Sequence, residues 1–147
     1  MSRKILNEAH KLYETADHLA YTTYKFVEET RLLIAIIEKI YELMEKGIDA
    51  LIAYENSLGR VSTGTKFDVF RMRCMKRYNL KTEYWKLFSE LKIILEEHKN
   101  SPATFIKKDK LIICNPKYRT RILNIDKVKE YLRLSKNFLE DLGKIIK

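Results

Sequence analysis

Apolar positions recur at helical spacing in five stretches of this chain and switch to alternation in one. Over residues 3–24, Ile5, Ala9, Leu12, Ala16 and Leu19 form one stripe, with Lys11, Glu14 and Asp17 off it. The β-branched and aromatic run Tyr21-Thr22-Thr23-Tyr24 weakens helix propensity, which predicts a frayed end or kink there. Residues 28–57 predict the longest helix, about 40 Å, with Leu33, Ile37, Ile40, Met44, Ile48 and Leu51 in phase. Glu38, Lys39, Glu42, Glu45 and Lys46 cover its other face, but its first half is apolar nearly all round and needs neighbours on more than one side. Those neighbours are either other helices of the chain or a second copy.

Residues 57–64, with Gly59 and Gly64 among small polar residues, form the clearest loop. A third helix follows from Lys66 to about Tyr78, with Phe67, Phe70, Cys74 and Tyr78 inward. A fourth runs from Thr82 to about Lys99, with Trp85, Phe88, Leu91/Lys92 and Leu95 in phase, and Pro102 stops it. Residues 103–114 then read as a hairpin around the charged turn Lys107-Lys108-Asp109-Lys110. Tyr118, Thr120 and Ile122, alternating with Lys117, Arg119 and Arg121, suggest a third strand. Asn124 caps a last helix over 125–146, with Val128, Tyr131, Leu132, Ser135, Leu139, Leu142 and Ile146 inward. The expected fold is mostly α. It is one domain over 1–147, a bundle of four or five helices with a long N-terminal helical hairpin and a two- or three-stranded β insert before the last helix.

Composition changes this picture little. The longest apolar run is six residues, too short to span a bilayer, and residues 1–6 lack an apolar signal core, so a cytoplasmic protein that does not enter a membrane is expected. Cys74 and Cys114 stand forty residues apart with no second ligand pair, which favours two reduced thiols over a metal or redox site. Twenty Lys, sixteen Ile and fourteen Glu with no Gln is a thermophile's bias, which an AT-rich genome would also produce in part.

Charge changes the picture more. The net +9 is uneven: residues 1–56 carry 7 Lys/Arg against 10 Asp/Glu, residues 57–100 carry 10 against 5, and residues 101–147 carry 12 against 5. An acidic helical hairpin is therefore followed by a basic remainder that suits RNA, another polyanion, or the acidic part of a second copy.

No motif writes a reaction. Glycine-rich phosphate loops, zinc-ligand spacings and a serine-nucleophile elbow are all missing. His10 and His18, eight residues apart on one helix, lie too far apart to share an ion. Glu38, Glu42 and Glu45 share a face without the histidines a di-iron site needs. No catalytic residue, metal or cofactor is expected.

Two basic features remain. At 100° per residue Lys66, Arg73, Lys76 and Arg77 fall on one arc of the third helix, where they either track a phosphate backbone or pair with the acids of residues 38–46. The first arrangement is expected, because exposed pairs stabilise by only about 0–1 kcal/mol each. The insert brings Lys107, Lys108, Lys110, Lys117, Arg119 and Arg121, with Phe105 and Tyr118 interleaved. That is the chemistry of single-stranded RNA binders, although lysines on exposed strands also serve to block sheet-to-sheet pairing.

The segments Ala16-Asp17-His18-Leu19-Ala20-Tyr21, Leu32–Ile37 and Ala50–Glu55, with Phe105–Lys110 and Ile113-Cys114-Asn115, resemble a group of small archaeal helical proteins. The resemblance covers most of the chain and implies an archaeal cytosolic protein, without an activity. The N-terminal hairpin is also similar to HEPN domains, helical bundles of RNases and toxin–antitoxin modules, whose catalytic motif is Arg-x4–6-His late in the bundle. Here that spacing occurs only at Arg3 and His10, at the opposite end, so the likeness implies a member without the catalytic pair. The sequence thus favours a non-enzymatic binder of RNA or another polyanion through residues 66–81 and 107–121. The alternatives are a self-associating interaction or scaffold protein, a homodimer using the apolar long helix, and a HEPN-like ribonuclease or toxin–antitoxin component.

Overall fold

The computed structural model describes residues 1–27, 29–60, 63–101, 103–117 and 119–147, without the side chains of Val27 and Ala103. It is mostly α, with five continuous helices and one three-stranded antiparallel sheet among the described residues. The helices are α1 (2–27), α2 (Leu32–Ser57), α3 (66–77), α4 (Thr82–Asn100) and α5 (Ile125–Ile145). The strands β1 (Ala103–Lys107), β2 (Lys110–Cys114) and β3 (Thr120–Leu123) lie between α4 and α5.

The spine is the α1–α2 hairpin. Small side chains make it tight: Ala9, Ala16 and Ala20 of α1 are buried, so the two backbones approach closely. The region where β-branched residues predicted a break does not fray. It becomes a π segment, Leu19–Thr23, through which the helix continues to residue 27. The long helix starts at Leu32, later than residue 28, and Glu28 lies outside the described residues.

Helix α2 is the centre of the molecule. Leu33, Ile37, Ile40, Met44, Ile48 and Leu51 are all buried as the spacing predicts, and Ile36, Leu43, Gly47 and Ala50 are buried on its other flank. Helices α1, α4 and α5 supply the neighbours that its apolar first half requires. At Gly47 the approach of α5 is so close that a Cβ would lie 2.6 Å from Phe138 Cε2. The surface assigned to a seam between two copies is thus covered within one chain: Leu33, Ile36, Ile37 and Ile40 have no exposed area.

The remaining elements follow their local signals. Thr65 caps α3 by accepting from the Asp68 N–H at 3.2 Å, and Asn124 caps α5 by accepting from Lys127 N–H at 2.8 Å. All seven residues expected to face inward from the last helix are buried, and Phe138 joins them. In α4 the buried set is Tyr84, Leu87, Phe88, Leu91 and Ile94, while Trp85 and Leu95 are half-buried. The stripe is rotated from its expected position because α4 packs on α2, α5 and β2 at once.

In the sheet, Phe105 pairs across to Ile112 and Ile112 to Ile122, while Ile106 pairs to Leu111 and Leu111 to Leu123. Side chains alternate faces, so these rows lie on opposite sides. Leu111, Ile113 and Leu123 are buried against the bundle. Pro102 and Tyr118, expected as the stop of α4 and as an aromatic of the third strand, lie outside the described residues, as do Val61 and Ser62 of the 57–64 loop.

Candidate nucleic-acid interface

The two basic regions end up in different surroundings. Helix α3 runs beside the second half of α2, with its start near Glu45 and Asp49 and its end near Glu55. Lys66 Nζ lies 2.8 Å from Asp49 and 3.6 Å from Glu45. Arg77 donates to Glu55 through Nη1. The expectation that this basic stripe points away from the acidic hairpin is therefore overturned: two of its four cations pair with α2.

A second π segment, Phe70–Cys74, breaks the period that would place the four cations on one arc. Its i→i+5 turn holds one residue more than an α turn, which rotates everything after it by about 100° relative to Lys66. Lys66, Arg73, Lys76 and Arg77 therefore do not share one arc. Arg73 and Lys76 are exposed.

Glu55 is the pivot of this region. Its side chain is only 3% exposed, and it accepts from Arg60 Nη1 at 3.0 Å, from the Tyr78 hydroxyl at 3.2 Å, and from Arg77. Arg60 Nη1 also lies 3.1 Å from the Tyr78 oxygen, so the loop after α2 and the end of α3 are tied to one carboxylate. Burial pushes that carboxyl up, but the hydrogen bonds from Arg60 and Arg77 outweigh it and hold it below the usual carboxylate value. Cys74 Sγ sits 3.8 Å from Glu55 Oε1, and burial, reinforced by that negative charge, pushes its thiol up to about 11. Charge patterning alone does not single out Glu55. The signal was there: Met44, Ile48, Leu51 and Glu55 continue one buried stripe, and an acid in that register needs a cation.

The insert behaves differently. Of its six cations, Arg121 alone forms ion pairs among the described residues, with Glu97 at 3.0 Å and Glu90 at 3.4 Å. Lys107, Lys108, Lys110, Lys117 and Arg119 are exposed, and among the described residues none of them forms an ion pair. Lys107 and Lys110 stand directly opposite each other across the hairpin. Next to them on the same, outward face runs the row Phe105–Ile112–Ile122, with Phe105 56% and Ile122 47% exposed. At the far end of β2, about 14 Å along the strand, Asn115 Oδ1 accepts from the Lys117 and Arg119 N–H groups at 3.0 Å each and shapes the loop that carries those cations.

A cleft of ≈ 610 Å³ opens under the sheet's first edge. Arg31, Ile34, Ala35 and Glu38 form one wall, at the start of α2, His98 comes from α4, and Thr104, Ile106 and Leu111 form the roof. Among the described residues, no group of three His, Cys, Asp or Glu could hold a metal ion, and no helix is long and apolar enough to cross a membrane. Compared with family models, with curated proteins and with solved structures, the chain matches none.

Proposed function

We propose that the protein binds single-stranded RNA on the outer face of its three-stranded sheet. The observation that carries this reading is the cross-strand pair Lys107–Lys110 beside the outward Phe105–Ile112–Ile122 row, exposed at Phe105 and Ile122. Two ammonium groups facing each other across a hairpin repel, and an anion between them converts that cost into attraction. A flat apolar row with an aromatic ring next to them accepts the face of an unstacked base, which a duplex does not present. Lys117 and Arg119 extend the cationic path past the other end of the strands. Helix α3 has a smaller part than its sequence suggests, since Lys66 and Arg77 serve α2.

Fluorescence anisotropy with a labelled single-stranded RNA, repeated across salt concentrations, tests the proposal. Five phosphate contacts give a slope of log affinity against log salt of about −3.5. Phe105→Ala is expected to weaken binding about tenfold, within the range for loss of one stacking partner, and duplex RNA to bind worse than the single strand. Salt-independent binding, or affinity unchanged in Phe105→Ala, overturns it. RNA that is cleaved, with cleavage lost in His10→Ala, would instead support the ribonuclease alternative.

A further inference from the structure

The sheet stops one strand short on its β1 side. Among the described residues strand β1 pairs only with β2, yet Phe105 is 56% and Ile106 47% exposed on its two faces, and Thr104 and Ile106 line the cleft beneath its edge. The hairpin fixes which backbone groups are left over. Asn115 N–H donates to the Arg119 carbonyl at 2.9 Å, so Asn115, and with it Ile113 and Leu111, turns its backbone groups toward β3. Ile112 and Lys110 then turn theirs toward β1, where they meet Phe105 and Lys107. Thr104 and Ile106 are left with N–H and C=O groups aimed out of the free edge.

We infer that this edge pairs with the same edge of a second copy, antiparallel about a two-fold axis at Phe105. In that register Thr104 faces Ile106 of the other copy and Ile106 faces Thr104, each as a hydrogen-bonded pair, so the four outward groups of each strand are satisfied with none left over. Phe105 meets its own counterpart at the close, non-hydrogen-bonded spacing, where aromatic side chains interact most strongly. Lys107, the strand's one charge, falls opposite Ala103 and away from the other Lys107. Any extended strand can pair with these backbone groups, but a second copy alone supplies the Phe105 contact and the Lys107–Ala103 spacing by symmetry. The added strand also lies over the open part of the cleft and covers Ile106 on the inner side. The two outer rows then join into one, Ile122–Ile112–Phe105 running on into the same three residues in reverse. The inference is independent of RNA binding: its contacts are edge backbone groups, and it holds or fails without a ligand.

Light scattering across a dilution series should give a mass that rises with concentration from 17.6 kDa toward twice that value. Thr104→Pro and Ile106→Pro each remove an outward N–H while leaving the β1–β2 ladder its donors, so each variant should stay monomeric with an unchanged circular dichroism spectrum. In a Cys114→Ser background, Phe105→Cys should oxidise to a covalent dimer, while Lys107→Cys should not, because its two copies lie about 14 Å apart in this register. A wild-type chain that remains monomeric at every concentration overturns the inference. So does a dimer that survives both proline variants, or one that cross-links at Lys107→Cys as readily as at Phe105→Cys. Should the proline variants unfold, the cross-linking pair decides alone.

Discussion

Helix α3 and the β insert read alike in the sequence: each concentrates cations in a short stretch beside aromatic residues. In the structure, the cations that open and close α3 meet acids of α2, while five of the insert's six meet no acid among the described residues. The difference lies in what each element packs against. Helix α3 lies along the acidic hairpin, so part of its charge is balanced within the fold. No described element covers the outer sheet face, so its charge and its Phe105 row remain available. A run of cations therefore indicates a partner only once the facing element is known.

Several measurements would break or sharpen this contrast. The largest effect is expected at Glu55. Glu55→Gln leaves Arg60, Arg77 and Tyr78 converging on a neutral amide and should cost about 2–3 kcal/mol in urea unfolding, whereas Lys107→Ala with Lys110→Ala should leave the midpoint in place. Equal losses in the two variants would erase the distinction. Next comes the reverse experiment in binding. Lys107→Ala, Lys110→Ala and Arg119→Ala together should flatten the RNA salt slope by about 2, and Arg73→Ala with Lys76→Ala should leave it nearly unchanged.

Acid provides a finer probe. The Glu55 carboxyl is held below its ordinary value in the folded state, so its contribution is complete above about pH 4.3 and is lost as pH falls through the folded-state value. The stability gap between wild type and Glu55→Gln should therefore close on acidification, and urea titrations at several pH values would follow it. The smallest effect concerns rate. With its thiol pushed up to about 11, Cys74 should react with iodoacetamide at pH 8 much more slowly than the half-buried Cys114, as peptide mass spectrometry would record.

Much of the fold was legible because it depends on period. The inward set of α5 and the stripe of α2 follow from spacing alone, since burial on a regular helix repeats every three or four residues. The Phe70–Cys74 π segment was not legible in this way: a turn with one extra residue leaves no period to count, and it turned Arg73, Lys76 and Arg77 by about 100° relative to Lys66. The sheet was legible as alternation, but its exposed and buried faces were not, because Phe105, Ile106, Ile112 and Ile122 are all apolar. Only packing against the bundle decided which row faces outward. Arg121 shows the same limit, since nothing in its own strand indicates Glu97 and Glu90 on α4.

Gly47 has a consequence in time as well as space. Phe138 occupies the volume a Cβ would need there, so α5 settles onto α2 only with both helices in final register. The α1–α2 hairpin forms between chain neighbours, whereas this contact joins segments far apart in the chain and closes a loop that includes α3, α4 and the whole sheet. Docking of α5 is thus a late event in folding, and a methyl group added at Gly47 would be felt mainly as faster unfolding, with the folding rate nearly unchanged.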